Sequence, residues 1–228
     1  MRGLSYLHIM YNLPYFKEKD EEVVKQFVRE HPFAFLTGCN AENKPIVTQV
    51  PVFIDEKENK IFLTGHIMKN TDHHKAFLHN SNVLAVFSSP HVYVSGTWYD
   101  NPSQASTWNY ISVHAKGIIR FGDEEALINI LKRLTLHYEN NNHDSSTIYD
   151  NLSEEYLKPL VKAIVAFEVE VTEMDNVFKL SQNRDEKSYH NIMEKLEQQG
   201  GDGAWIAGEM KKRTSQLFGN KTARNPMP

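Results

Sequence analysis

Apolar and polar residues alternate with a period of two along much of this chain, and a few stretches switch to the helical period. The cleanest alternation covers residues 107–121. Ile111, Val113, Ala115, Ile119 and Phe121 fall on one side, against Ser112, His114, Lys116 and Arg120 on the other. That pattern predicts a half-buried strand. Strands are also predicted over residues 33–39, 46–54, 60–64, 83–88, 91–95 and 162–174. In the second of these, Val50, Val52 and Ile54 face away from Gln49, Pro51 and Phe53. Pro51 has no N–H to give, so a bulge, an edge or a ligand belongs there. Polar turns separate the strands at residues 40–45, at residues 55–59 and at Gly65-His66, with a longer loop over residues 96–106.

The helical period appears where Val23, Val24, Phe27 and Val28 share a face behind the N-cap candidate Asp20, in a helix that Pro32 ends. Short helices are expected over residues 70–80 and from Ser153 to about Val161. A stronger one starts at Asp123 and lines up Leu127, Ile130, Leu131, Leu134 and Tyr138. Helices over residues 185–199 and 204–213 flank a break at Gly200-Gly201-Asp202-Gly203. Six or seven strands with regular turns, and helices mainly at the ends, predict a mainly β fold with α additions: an antiparallel barrel, not a doubly wound sheet.

Composition changes this picture little. The chain has 228 residues, is 40% hydrophobic and 24% charged, and carries a formal net charge of −4. Its length can bury a sizeable core without cross-links. A net negative charge argues against a surface that coats nucleic acid. Cys39 is the only cysteine, which excludes an intramolecular disulfide. No run of about 20 apolar residues is present, so the expected setting is cytoplasmic, without a membrane partner.

Four clusters carry candidate chemistry. Lys69, Asn70 and Thr71 stand at a strand-to-helix junction, where free N–H groups and a lysine suit a phosphate; the alternative is a simple cap beside a solvated lysine. Trp98, Tyr99, Trp108 and Tyr110 flank a polar loop and could stack on a planar ring, with Thr107 and Asn109 at its edge, or plug a core or subunit interface. Lys179-Leu180-Ser181-Gln182-Asn183-Arg184 is dense in donors that suit phosphate oxygens, or is a polar connection. The basic run Lys211-Lys212-Arg213, with Lys221 and Arg224, reads as a solvated tail rather than a nucleic-acid contact. Many histidines occur, among them His73, His74, His79 and His91, but none has metal-ligand spacing, and no metal site is expected. The acidic groups at Asp123-Glu124-Glu125 and Glu154-Glu155 open helices and read as caps, not as an acid/base couple.

Together, Met10-Tyr11, Gly65-His66, Tyr93-Val94-Ser95 with Trp98-Tyr99, Thr107-Trp108-Asn109-Tyr110 with His114 and Gly117, and Lys179 to Arg184 resemble the PaiB-like family. These are FMN-binding negative transcriptional regulators linked to protease synthesis and sporulation. The resemblance implies an FMN-binding split barrel like that of pyridoxamine-phosphate oxidase, with FMN between two subunits of a homodimer. It implies that Gly65, His66, Lys69, Asn70 and Thr71 form the phosphate side. Gln49, Val50 and Pro51 would lie along the ring, while Trp108, Asn109, Lys179, Ser181, Gln182, Asn183 and Arg184 would close the site. The family domain would cover residues 10–212, between a tail at 1–9 and a polar tail at 213–228.

This chain departs from the family in four places. Thr71-Asp72 stands where Asn-Pro is usual, His74 where Trp is, Ser106 where Pro is common, and Gln49 where His is common. Three functions remain open at this point. One is a dimeric flavoprotein acting in regulation, with direct DNA binding weak and non-specific. The second is a flavin-dependent oxidoreductase of a small molecule, and the third a barrel that has lost its flavin.

Overall fold

A computed structural model describes residues 11, 13–101 and 103–219. The expected N-terminal tail at 1–9, and the chain from residue 220 with Lys221 and Arg224, lie outside them. Among the described residues seven strands form one sheet: β1 (Phe33–Cys39), β2 (Pro45–Pro51), β3 (Phe53–Lys57), β4 (Lys60–Met68), β5 (Asn82–Val94), β6 (Thr107–Phe121) and β7 (Ile164–Lys179). Their order is β2-β1-β5-β6-β7-β4-β3. The β1–β2, β1–β5, β3–β4 and β4–β7 pairs are antiparallel. Six α-helices among the described residues accompany them: α1 (Glu21–Glu30), α2 (Asp72–His79), α3 (Glu124–Tyr138), α4 (Glu154–Ala163), α5 (Glu186–Gln199) and α6 (Gly201–Phe218).

The chain divides into two compact units. The strand-rich unit comprises residues 25–87 and 114–174. Its core contains Ala34, Leu36, Leu63, Phe77, Ala85, Phe87, Ala115, Phe167 and Val169, all essentially without solvent contact. A satellite cluster under α3 joins Leu127, Val161 and Ala166 with Ile130, Leu131, Tyr149 and Ile164. Both helices of that cluster are capped by the residues the sequence marks: Asp123 accepts from Ala126 N (2.9 Å) and Ser153 from Tyr156 N (3.3 Å).

The α5–α6 unit comprises residues up to 24, 88–113 and from 175 on. Val94, Ile111, Val113, Leu180, Tyr189, Ile192, Leu196, Ile206 and Met210 fill it. Gly203 lets α6 close on α5, since a Cβ there would stand 2.6 Å from the Leu196 carbonyl oxygen. Tyr189 donates its hydroxyl to the Met210 carbonyl at 2.9 Å.

Several boundaries correct the sequence expectations. The strand expected over residues 46–54 is two strands on different partners. Val52 N leaves the ladder after Pro51 and donates to the Pro32 carbonyl at 2.9 Å. The turn after β3 is only Glu58-Asn59, both left-handed (φ 52° and 60°), as a two-residue hairpin requires. Gly65-His66 is not a turn. Strand β4 runs on to Met68 because β7 pairs with it along that whole length.

Pro90 does not split β5, because the buried Ser89 hydroxyl accepts the Ile111 N–H at 2.8 Å. The glycine break shrinks to Gly200 (φ 69°), and α6 continues to Phe218, past the expected helix end at Arg213. Arg213 is therefore a core residue. Its guanidinium pairs with Glu18 (3.3 Å) and Glu209 (3.0 Å) and lies 4.9 Å from the Phe178 ring.

Candidate functional site

The expected site residues fall into two groups, one in each unit. In the strand-rich unit, the β1–β2 register sets Phe33 opposite Pro51, Phe35 opposite Gln49 and Thr37 opposite Val47. Those six share one face of the hairpin. The other face carries Ala34, Leu36 and Val50 into the core. Gln49 and Pro51 therefore lie on an open face beside exposed Phe33, Phe35 and Val47, whereas the Val50 side chain is buried. The apolar character of that face was missed from the sequence, although Phe33-Ala34-Phe35 alternates large and small in a way that announces it.

Gly65 sits in mid-strand because a Cβ there would lie 2.9 Å from the Pro51 carbonyl oxygen and 2.9 Å from the Phe167 ring. His66, next along, is largely buried. Its Nδ1 has no hydrogen-bond partner in the protein. Burial holds its pKa below the ordinary value, so the imidazole is neutral at pH 7.

The β4–α2 junction is a tightly tied turn. Lys69 N donates to the Ala163 carbonyl at 2.8 Å, and Asn70 takes the left-handed conformation (φ 65°). Thr71 caps α2: its hydroxyl donates to the Met68 carbonyl (3.0 Å) and accepts from His74 N (3.3 Å). His74 keeps an aromatic ring at its position, edge-on to Phe121 at 4.9 Å, and its Nδ1 accepts the Asn70 N–H at 3.1 Å. Burial first, then the positive neighbours His73, Lys69 and Lys75, hold its pKa down.

Asp72 folds back on His73, accepting from the backbone N (2.8 Å) and facing the ring Nδ1 (3.2 Å). It pairs with neither Lys69 nor Lys75. The Lys69 ammonium meets no carboxylate among the described residues. A partly buried lysine whose ammonium has no carboxylate partner among the described residues fits a phosphate-bearing ligand.

In the α5–α6 unit, β6 sends neighbouring residues to opposite sides. Trp108 is half exposed, with its ring 5.8 Å from those of His91 and Tyr93. Asn109 faces inward with Ile111 and is fully buried, accepting the Ser181 hydroxyl at 3.0 Å and donating to Met210 Sδ at 3.6 Å. The strand parity already places it there.

The loop after β7 is wound on itself. Ser181 is left-handed (φ 63°), Leu180 N donates to Gln182 Oε1 (2.7 Å), Gln182 Nε2 donates to the Phe178 carbonyl, and Arg184 N to the Ser181 carbonyl (3.0 Å). Lys179 donates to the Thr107 hydroxyl, with the Tyr11 ring 5.9 Å away. Arg184 lies 4.0 Å from the Tyr99 ring centroid and donates through Nη1 to Gln104 Oε1, while its buried Nε has no partner. Lys179, Ser181, Asn183, Arg184, Thr107 and Asn109 line a cavity of about 120 Å³, with Tyr11, Tyr15 and Phe16. Among the described residues, no three His, Cys, Asp or Glu side chains gather as a metal site, and no helix is long and apolar enough to cross a membrane.

A family model described as "Putative FMN-binding domain" matches residues 10–173. The protease synthase and sporulation protein PAI 2 of Bacillus subtilis is 32% identical over 201 residues, covering 88% of this chain and 96% of that protein. A solved structure from Bacteroides thetaiotaomicron, titled a "putative 5-nitroimidazole antibiotic resistance protein", aligns with a TM-score of 0.51 at 19% identity, covering 70% of this chain and 84% of that one. The flavocytochrome Anf3 of Azotobacter vinelandii aligns at 0.51 with 16% identity, covering 72% and 69%. The two structural likenesses carry the fold alone, and it is the split antiparallel barrel with helical additions that the sequence predicts.

Proposed function

From the premise that this chain belongs to the FMN-binding family whose model spans residues 10–173, we propose that it is a homodimeric flavoprotein acting in regulation. FMN is the cofactor of this family. In this reading Lys69 supplies the full charge that holds the flavin phosphate. Asn70 and Thr71 fix the turn that aims it, and Gly65 lets β4 close on Pro51 and Phe167 beside that turn. His66 offers a neutral ring nitrogen for a hydrogen bond to an uncharged part of the ligand. Gln49 and Pro51 present an open face to the ring. When bound, FMN supplies electron and hydride chemistry of its own.

The observation that carries the reading is Lys69, a partly buried lysine whose ammonium has no carboxylate partner among the described residues. Asp72 stands at the same turn, but its charge is directed onto His73. The regulatory role is supported by the PAI 2 relative, whose name refers to protease synthesis and sporulation. The net charge of −4 and the burial of Arg213 in ion pairs both disfavour direct DNA reading. Regulation then runs through a ligand or a protein partner. A sequence-selective gel shift with the purified protein at physiological salt would contradict that.

The test of flavin binding is the visible spectrum of the purified protein. Lys69→Ala removes a charge-assisted contact of about 1.5–3 kcal/mol. FMN affinity should fall by about tenfold or more, measured by quenching of flavin fluorescence. A colourless protein that fails to take up added FMN, or an unchanged affinity in the variant, contradicts this assignment.

A further inference from the structure

We propose that the small cavity behind the β7–α5 loop is an oxyanion pocket in its own right, built for the carboxylate or phosphate end of a ligand other than the flavin. Two cationic side chains, Lys179 and Arg184, line it together with the Thr107 hydroxyl and Asn183. Neither cation has a carboxylate partner among the described residues: Lys179 is held by a hydroxyl, and Arg184 by an amide oxygen and a tyrosine ring. The residues outside the description, 1–10, 12, 102 and 220–228, contain no Asp or Glu at all. No side-chain carboxylate of this chain is therefore available to neutralise the pair.

Two like charges drawn together and partly desolvated are unfavourable until an anion joins them. Burial and the Arg184 charge both lower the Lys179 pKa. The donors are also ready. Arg184 Nε is buried with no acceptor. Thr107 accepts from Lys179, so its own proton is free to donate outward. The loop hydrogen bonds of Leu180, Ser181 and Gln182, and the burial of Asn109, hold the two cations on a fixed frame.

Size selects the ligand class. A cavity of about 120 Å³ is well below the roughly 300–1,000 Å³ that encloses a drug-sized ligand. It admits an anionic end group, with the remainder of the molecule outside. Tyr11, Tyr15 and Phe16 at the wall give that remainder an apolar or aromatic surface. A planar carboxylate suits the guanidinium fork, and a tetrahedral phosphate suits the combined lysine, arginine and hydroxyl donors.

The experiment uses the full chain, with flavin content read separately from its visible absorbance. Inorganic phosphate and acetate are titrated by calorimetry against the wild type, Lys179→Gln, Arg184→Gln and Lys69→Ala. The expected result is saturable binding of one anion per chain, weakened about tenfold or more in the first two variants and retained in Lys69→Ala. The tighter of the two probes identifies the end group as phosphate or carboxylate. Far-UV circular dichroism and a thermal melt establish that each variant is folded. Arg184→Lys, which keeps the charge, should recover part of the binding if Arg184→Gln unfolds.

Absence of anion binding in the wild type, or equal binding in the wild type and Lys179→Gln, overturns the proposal. So does a parallel loss of FMN in Arg184→Gln, which would make the pocket the flavin-phosphate site. Failure of Lys69→Ala to weaken FMN contradicts the phosphate assignment at the β4–α2 turn and leaves this pocket standing.

Discussion

His66 and His74 both lie in the strand-rich unit with pKa values held below 6.5, chiefly by burial. Such a group takes its proton in the unfolded chain before it does in the folded one. Between 6.5 and the lower folded value the unfolded state holds more protons, so stability rises with pH there and falls on acidification. Above 6.5 neither residue contributes a slope. His66→Gln removes one of the two titrations while keeping a polar side chain. Chemical unfolding of the variant should therefore show a shallower loss of stability than the wild type as pH drops below 6.5; parallel curves would mean that His66 does not titrate with folding. Asn109 gives a second prediction at this scale. Asn109→Ala deprives the buried Ser181 hydroxyl of its acceptor, at a cost of about 1–3 kcal/mol. A lower thermal midpoint checks it, and a midpoint equal to wild type would show that the Ser181 hydroxyl finds another partner.

Elements were more legible than their joints. The spans of β1 and β6, and the caps of α3 and α4, follow from local pattern and cap chemistry, and they appear where the sequence puts them. Joints failed where a distant strand decided the outcome. Nothing local in Gly65-His66 says that β7 will pair across it, and nothing near Pro90 says that a serine hydroxyl will stand in for a backbone acceptor. The same limit applied to the candidate residues. Parity along β6 separates Trp108 from Asn109, but the tie from Asn109 to Ser181 spans 72 positions and has no local signature. Gly65 and Gly117 show how such long-range packing can be tested. A methyl at Gly117 would stand 2.4 Å from the Glu170 carbonyl oxygen, and one at Gly65 2.9 Å from that of Pro51. Backbone cannot yield as a flexible side chain does, so each Gly→Ala should destabilise by about 1–3 kcal/mol, with Gly117→Ala the more severe. Denaturant midpoints decide it. Equal stability of both variants with wild type would mean that the strands separate at little cost.

At the scale of the whole molecule, the open face of the β1–β2 hairpin requires an explanation that a lone chain does not supply. Phe33 is 59% exposed, Phe35 44% and Val47 59%, all on the same side and beside Gln49 and Pro51. Scattered exposed apolar residues are ordinary, whereas a contiguous set marks a contact surface. A second copy of this chain, as the homodimer proposed above, would cover this face and place Gln49 and Pro51 at a subunit seam. Phe35 and Val47 make no contribution to the buried face of the hairpin, which Ala34, Leu36 and Val50 form. The double variant Phe35→Glu, Val47→Lys should therefore keep its fold and lose its partner. Sedimentation velocity is expected to give a dimer for wild type and a monomer for the variant, with unchanged far-UV circular dichroism. If Gln49 and Pro51 meet the flavin at that seam, FMN retention should fall together with dimerisation. A monomeric wild type, or a double variant that remains dimeric, would remove this face as the interface. A monomeric variant that keeps its FMN would instead place the cofactor wholly within one chain, and Lys69 would then have to hold it without help from the neighbouring subunit.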